Sequence, residues 1–280
     1  MKKRKLSQNI LFIPFIAFVL IIAGQLLGEF VTLIPHTGNN ALEMALFYLT
    51  FIGIWFIVLL VLFVNKNNRK ILQQLTPAAK GNTWKMLLIG LAYGFGTNAI
   101  CILAAWLNKD IHLSFACFEP IALLLIFLCV FIQSSAEELL CRVYMYQKIK
   151  ETYPEIVAII ANSLLFAFLH LFNTGVTYLS LANIALVGIA YSLLIYYFDS
   201  PWCAMMAHAS WNFTQNILFG LPNSGVVSSY SVFTLDAANA RDSFAYSTSF
   251  GVEGTVTACL VLLISIIATY YIHKRMTEKV

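Results

Sequence analysis

Residues 121–142 read IALLLIFLCVFIQSSAEELLCR, an apolar run that ends in two adjacent carboxylates and a guanidinium. Its length suits a membrane helix, which needs roughly 20 predominantly apolar residues. Glu137, Glu138 and Arg142 are expensive in such a setting, and ionisable groups within a span are functional by default. On a helix Glu138 and Arg142 stand four apart on one face and can form an ion pair. Glu137 is turned about 100° from Glu138 and does not readily share that arginine. One carboxylate is then tied down and the other left free. A free carboxylate in a poorly hydrated site suits general-base work.

The rest of the chain is of the same kind. Of its 280 residues, 60% are hydrophobic and 11% are charged, against about a quarter charged in soluble domains. Eight apolar stretches are long enough to span, at about 10–34, 41–64, 86–107, 119–148, 154–172, 177–198, 201–219 and 254–273. The expected fold is all-α: a polytopic membrane helical bundle of about eight transmembrane helices, one integral-membrane domain over residues 1–280. The lipid bilayer is its first partner. The net charge of +4 is modest, and basic residues cluster at span ends, which speaks for topology and not for nucleic acid.

The N-terminal Met1-Lys2-Lys3-Arg4-Lys5 followed by an apolar run imitates a signal peptide. The run from Ile10 to Ile34 exceeds the roughly 7–15 residues of such a core, so it reads as a retained first span. The six cysteines form no CxxC pair and no zinc-finger spacing; most sit in apolar runs as small hydrophobes.

Lys66, Arg69, Lys70, Lys80 and Lys85 fall in one loop, Lys148 and Lys150 in another, and Lys274, Arg275 and Lys279 at the C-terminus. The alternate loops carry few basic residues. Eight spans with both termini cytoplasmic put every basic cluster inside, in what reads as a bacterial plasma membrane. The polar segment 221–253 then forms an outer loop, a solvated excursion or partial cap. Asp199 or Ser200 is positioned to cap the seventh helix ahead of Pro201, and Glu119 the fourth ahead of Pro120.

Two of the five histidines, His170 and His208, lie well inside apolar spans; His36 and His112 fall in outer loops and His273 at a span end. Measured from the hairpin turn near Thr152, Glu137 is 15 residues before and His170 is 18 after. At 1.5 Å per residue both lie on the order of 20–27 Å from the turn, so they can meet. His208 follows Pro201 by only seven residues and lies shallower, unless the turn before it is set into the membrane. His208 and Asn212 are four apart and share a face. Phe166, one turn before His170, reads as a pocket wall. Ser134, Ser135 and Ser210 read as packing groups; Asn162, Asn173 and Asn183 either pack or line the cavity.

The ordered set Glu137-Glu138-x-x-x-Arg142, Phe166-x-x-x-His170 and His208-x-x-x-Asn212 resembles the motif series of the CPBP intramembrane protease family. That family includes type II CAAX prenyl endopeptidases (Ras-converting enzymes) and Abi-type bacterial immunity proteins. The resemblance implies an intramembrane endopeptidase with a core at about 119–219 and a hydrophobic or lipidated peptide as substrate, a prenylated (CAAX-type) one among them. It implies that Glu137 activates water, His170 orients it, and His208 with Asn212 stabilises the oxyanion, while Glu138 and Arg142 form a structural pair. Two chemistries stand side by side. Glu137, His170 and His208 can supply three ligands to a divalent metal such as zinc, or glutamate and water can act without a cofactor; no His-Glu-x-x-His occurs. Two other functional classes compete: a non-proteolytic immunity or scaffold protein, and a transporter with a proton relay, for which no repeat symmetry is seen.

Overall fold

A computed structural model describes residues 9–35 and 37–278. The basic residues 2–5, His36 and Lys279 lie outside the described residues. The first helical rod is α1 (Phe12–Gly28), continued by a 3-10 turn (Glu29–Leu33). The second joins α2 (Asn40–Leu49) to α3 (Ile52–Val64). A short α4 (Arg69–Leu72) precedes α5 (Trp84–Leu107). After the strand β1 (Leu113–Phe115), α6 (Pro120–Glu138) passes through a π-helical turn (Leu139–Met145) into α7 (Tyr146–Lys150). Next come α8 (Glu155–Leu169) and α9 (Tyr178–Phe198). Helix α10 (Pro201–Asn212) runs into a second π turn (Phe213–Leu218); β2 (Phe233–Leu235) and α11 (Val256–Thr277) follow.

The polytopic bundle is as expected, but the span count differs. Among the described residues six rods are long and apolar enough to cross a membrane: 12–33, 40–64, 84–107, 120–150, 178–198 and 256–277. Helix α8 is apolar but has 15 residues. Helix α10 and its π turn carry His208, Ser210, Asn212, Gln215 and Asn216. Enclosure explains that polarity, for α10 is buried along most of its length and packs on α5, α6 and α9. A helix surrounded by protein need not present an apolar face to lipid.

Helix starts follow the capping rules in most places. Asn39, Thr83, Thr177, Ser200 and Thr255 each accept a backbone N–H from the first turn. Of the two candidates Ser200 caps α10, while Asp199 ends α9 in a left-handed conformation; against expectation, Glu119 makes no side-chain cap bond to α6.

The two ends of the bundle are distinct. At one end Lys70 and Lys148 both pair with Glu151 at 3.0 Å. The backbone N–H of Ile10 donates to the Tyr153 hydroxyl there, and His273 stacks on Tyr197 at 4.6 Å. The beginning of α1 and the end of α11 therefore lie with the basic loops. At the opposite end β1 pairs antiparallel with β2, Ser114 facing Thr234. The buried Asp110 accepts hydrogen bonds from Asn108 and Ser243 and pairs with Arg241. Leu221, Tyr246, Phe250 and Val252 are fully buried in clusters shared with α5, α8, α9, α10 and α11, so segment 221–253 is an ordered cap packed onto the bundle.

Helix α5 brings α10 in closely. A Cβ on Gly90 would stand 2.3 Å from the Cys203 carbonyl oxygen, and one on Gly94 would stand 2.0 Å from that of Ala207. Small residues four apart allow such backbone approach in membrane bundles.

Candidate active site

Helices α6, α8 and α10 meet around a cavity of about 500 Å³, walled on its far side by Phe18, Ile22, Leu26, Phe47 and Phe51. Glu137, in the last turn of α6, lines it. Gln133, one turn earlier, donates from Nε2 to Glu137 Oε1 at 2.9 Å. Glu137 Oε2 has no hydrogen-bond partner and faces His208 Nε2 at 3.8 Å.

Glu138 lies on the other face and is fully buried. Arg142 Nη1 stands 3.0 Å from its Oε1, the pair that the spacing predicts. The same oxygen receives His208 Nδ1 at 3.0 Å, a contact between helices that no spacing rule contains. A carboxylate only accepts, so His208 carries a proton on Nδ1, and its Nε2 is turned towards Glu137.

His208 reaches Glu137, and the turn before α10 is roofed. Asn82 Oδ1 accepts from the Ser200 hydroxyl (3.2 Å) and the Trp202 N–H (3.3 Å), and Trp202 Nε1 donates to the Leu75 carbonyl (2.9 Å). The loop before α5 thus covers the turn.

His170 ends α8. Its Nδ1 donates to the Phe166 carbonyl at 2.8 Å, which leaves Nε2 as the acceptor nitrogen. It shares the cavity wall with Glu137 and is not hydrogen-bonded to it. Phe166 is more than a wall. The Arg142 guanidinium stacks over its ring at 4.2 Å, and His170 and His208 meet it edge-on at 4.8 and 5.8 Å.

Asn212 donates from Nδ2 to Gln133 Oε1 and to the Ser134 hydroxyl, both at 3.1 Å. Its Oδ1 accepts from Asn223 Nδ2 at 3.2 Å. Asn183 and Asn173 also line the cavity and tie down the cap. Asn183 holds the carbonyls of Glu253 and Thr255, and Asn173 that of Ser224. Asn162 and Ser135 donate within their own helices and accept from Ser192 and Trp55 of neighbouring ones, as packing groups do.

The cap contributes a carboxylate that the sequence did not reveal. Glu253 accepts from Trp211 Nε1 (2.9 Å), Asn223 Nδ2 (3.1 Å), the Ser224 N–H (2.9 Å) and the Ser224 hydroxyl (2.7 Å). Burial pushes its carboxyl above the ordinary range; those donors and nearby His170 draw it partly back. Gln133 had a visible signal, an amide one turn before Glu137 in an apolar run. Glu253 had none, being one acid in a polar loop.

The metal reading was tested on the same geometry. Among the described residues no group of three His, Cys, Asp or Glu side chains is arranged to hold an ion. Glu137 Oε2 and His208 Nε2 face each other at 3.8 Å, and no third such side chain joins them to hold an ion among the described residues. The candidate ligands do not fit a three-ligand zinc site, and no step below is routed through a metal.

Residues 119–214, about a third of the chain, match the family model described as Rce1-like, type II CAAX prenyl endopeptidase. No curated protein and no solved structure matches. The matched segment contains Glu137, Glu138, Arg142, Phe166, His170, His208 and Asn212, while α1, α2 and the cap lie outside it. Over this segment the chain is similar to Rce1-like type II CAAX prenyl endopeptidases, which supports the CPBP family that its motifs resemble.

Proposed function

We propose that this protein is an integral-membrane endopeptidase for a hydrophobic or lipidated, membrane-tethered peptide. The observation that carries the reading is the unpartnered Glu137 Oε2 facing His208 Nε2 across 3.8 Å in a largely apolar cavity. A water between them loses a proton to Glu137 as its oxygen attacks the scissile carbonyl. The proton passes to the amide nitrogen as the C–N bond breaks. His208, protonated at Nε2, donates to the oxyanion; Glu138 on Nδ1 supports the cationic ring. His170 Nε2 accepts a hydrogen bond from the water and orients it. The aromatic and aliphatic walls suit apolar side chains or an isoprenoid or acyl group. The basic end faces the cytoplasm by the positive-inside rule.

The test compares purified wild type with Glu137→Gln in nanodiscs. The substrates are prenylated and unprenylated hydrophobic peptides, and fragments are read by mass spectrometry. Cleavage by the wild type should fall by about 10²–10⁴-fold in the variant and should be unchanged by a chelator. Equal cleavage by both proteins removes Glu137 from the chemistry. Wild type that cleaves nothing across a broad panel, yet retains a peptide, favours a non-proteolytic binder.

A further inference from the structure

We propose that Gln133, Asn212, Asn223 and Glu253 form one positioning chain that sets the orientation of Glu137, with Glu253 in the cap as its far anchor. The inference rests on the endopeptidase reading and deepens it. Glu137 accepts, so Gln133 presents its NH₂ to it (2.9 Å) and turns its oxygen to Asn212. That oxygen receives Asn212 Nδ2 (3.1 Å) and the Ser134 hydroxyl (2.9 Å). Asn212 must then turn its own oxygen to Asn223, whose Nδ2 reaches it at 3.2 Å. The same Nδ2 donates to Glu253 Oε1 at 3.1 Å.

Glu253 fixes the other end. Trp211 Nε1, Asn223 Nδ2 and the Ser224 N–H are donors only, and all converge on it. A carboxylate satisfies them; an amide of the same size sets a donor against a donor. A flip of any amide along the chain opposes two like groups in a buried site, where an unmade bond costs most. Both amide hydrogens of Asn212 are taken by Gln133 and Ser134, so Asn212 acts on Glu137 through Gln133, as a positioning residue. Asn223 and Glu253 lie outside the matched segment 119–214, in the loop that covers the cavity.

The experiment measures kcat and KM for one cleaved peptide with wild type, Glu253→Gln, Gln133→Leu and the double variant. Asp110→Asn serves as control: a buried carboxylate between α5 and β1, clasped by Asn108 and by Ser243 and Arg241 of the cap, and not among the cavity's lining. The expected result is a fall in kcat of about 10–100-fold for each chain variant, the scale of a misplaced catalytic group, with KM within about twofold. The double variant should be no worse than the poorer single, because members of one network are not additive. Asp110→Asn should keep kcat. If Glu253→Gln fails to fold, Asn223→Ala takes its place, with the same expected fall. The proposal is overturned if Glu253→Gln keeps kcat, if only KM moves, if the singles multiply, or if Asp110→Asn falls equally. Wild type that cleaves no peptide brings down the endopeptidase reading and this chain with it. Wild-type cleavage with an unaffected Glu253→Gln brings down the chain alone.

Discussion

Glu138 has two partners on one oxygen, and the two differ in how far the sequence announced them. The pair with Arg142 follows from four-residue spacing on one helix, and it survives the π turn in which Arg142 sits. The bond to His208 joins residues 70 apart, and nothing in either local sequence specifies it. The difference predicts a separation of stability from activity. Arg142→Met leaves a buried carboxylate without its cation, which typically costs about 3–5 kcal/mol. Replacing the pair with apolar residues, Glu138→Leu with Arg142→Met, removes the desolvation penalty and should recover most of the melting temperature in detergent. Cleavage should remain lost, because His208 Nδ1 has no acceptor to hold its ring. If the double variant regains both, Glu138 is a structural partner of Arg142 and nothing more. Phe166 belongs to the same unit. Its spacing from His170 made it a wall, while its stacking on Arg142 is a tertiary contact that the spacing did not contain.

At the scale of elements, apolarity alone located eight helical rods within a few residues, because the bilayer imposes a length that a sequence displays directly. It misjudged the standing of two. Helix α10 is polar because it is enclosed, and hydropathy cannot separate a polar helix in a protein interior from one at the surface. The π turns after Glu138 and after Asn212 were also invisible; no proline or glycine marks them. Such turns recur at functional sites, and here each begins next to a motif residue. What places α10 is the glycine face of α5, which yields a second prediction. In Gly94→Ala the new Cβ meets the Ala207 carbonyl at 2.0 Å and the Ser210 side chain at 2.9 Å, so α10 must move and carry His208 and Asn212 with it. Cleavage should fall at least about tenfold, the order expected when catalytic groups are displaced. Stability should fall by about 1–3 kcal/mol, as overpacking does. Gly96→Ala on the same helix meets nothing within 4 Å and should leave activity and melting temperature as they are. A silent Gly94→Ala would mean that α10 is held in place by other contacts.

For the whole molecule, the route to the cavity follows from what closes it. The cap, with Leu221, Phe250 and Val252 buried, covers one end. The loop before α5 folds over the α9–α10 turn at the other. The cavity wall then runs along α1 through Phe18, Ile22 and Leu26 and along α8 through Leu169 and His170. Between these helices the contact is thin; the Phe18 ring meets Phe168 edge-on at 5.9 Å. A substrate tethered to the membrane has no need to leave it, and the α1–α8 seam is the side entrance such a substrate would use. A covalent bridge there should act as a lock. With the native cysteines replaced, Phe18→Cys with Phe168→Cys joined by a short thiol cross-linker should lose cleavage of membrane-embedded peptides, and a reducible linker should restore it on addition of reductant. Each single cysteine variant, treated in the same way, should stay active. Full activity of the bridged protein would move the entrance elsewhere, to the α1–α2 side where Phe47 and Phe51 line the cavity. Loss that reductant does not reverse would point to damage by the substitutions themselves, and a bridge between α1 and α9 would then be the next lock to try.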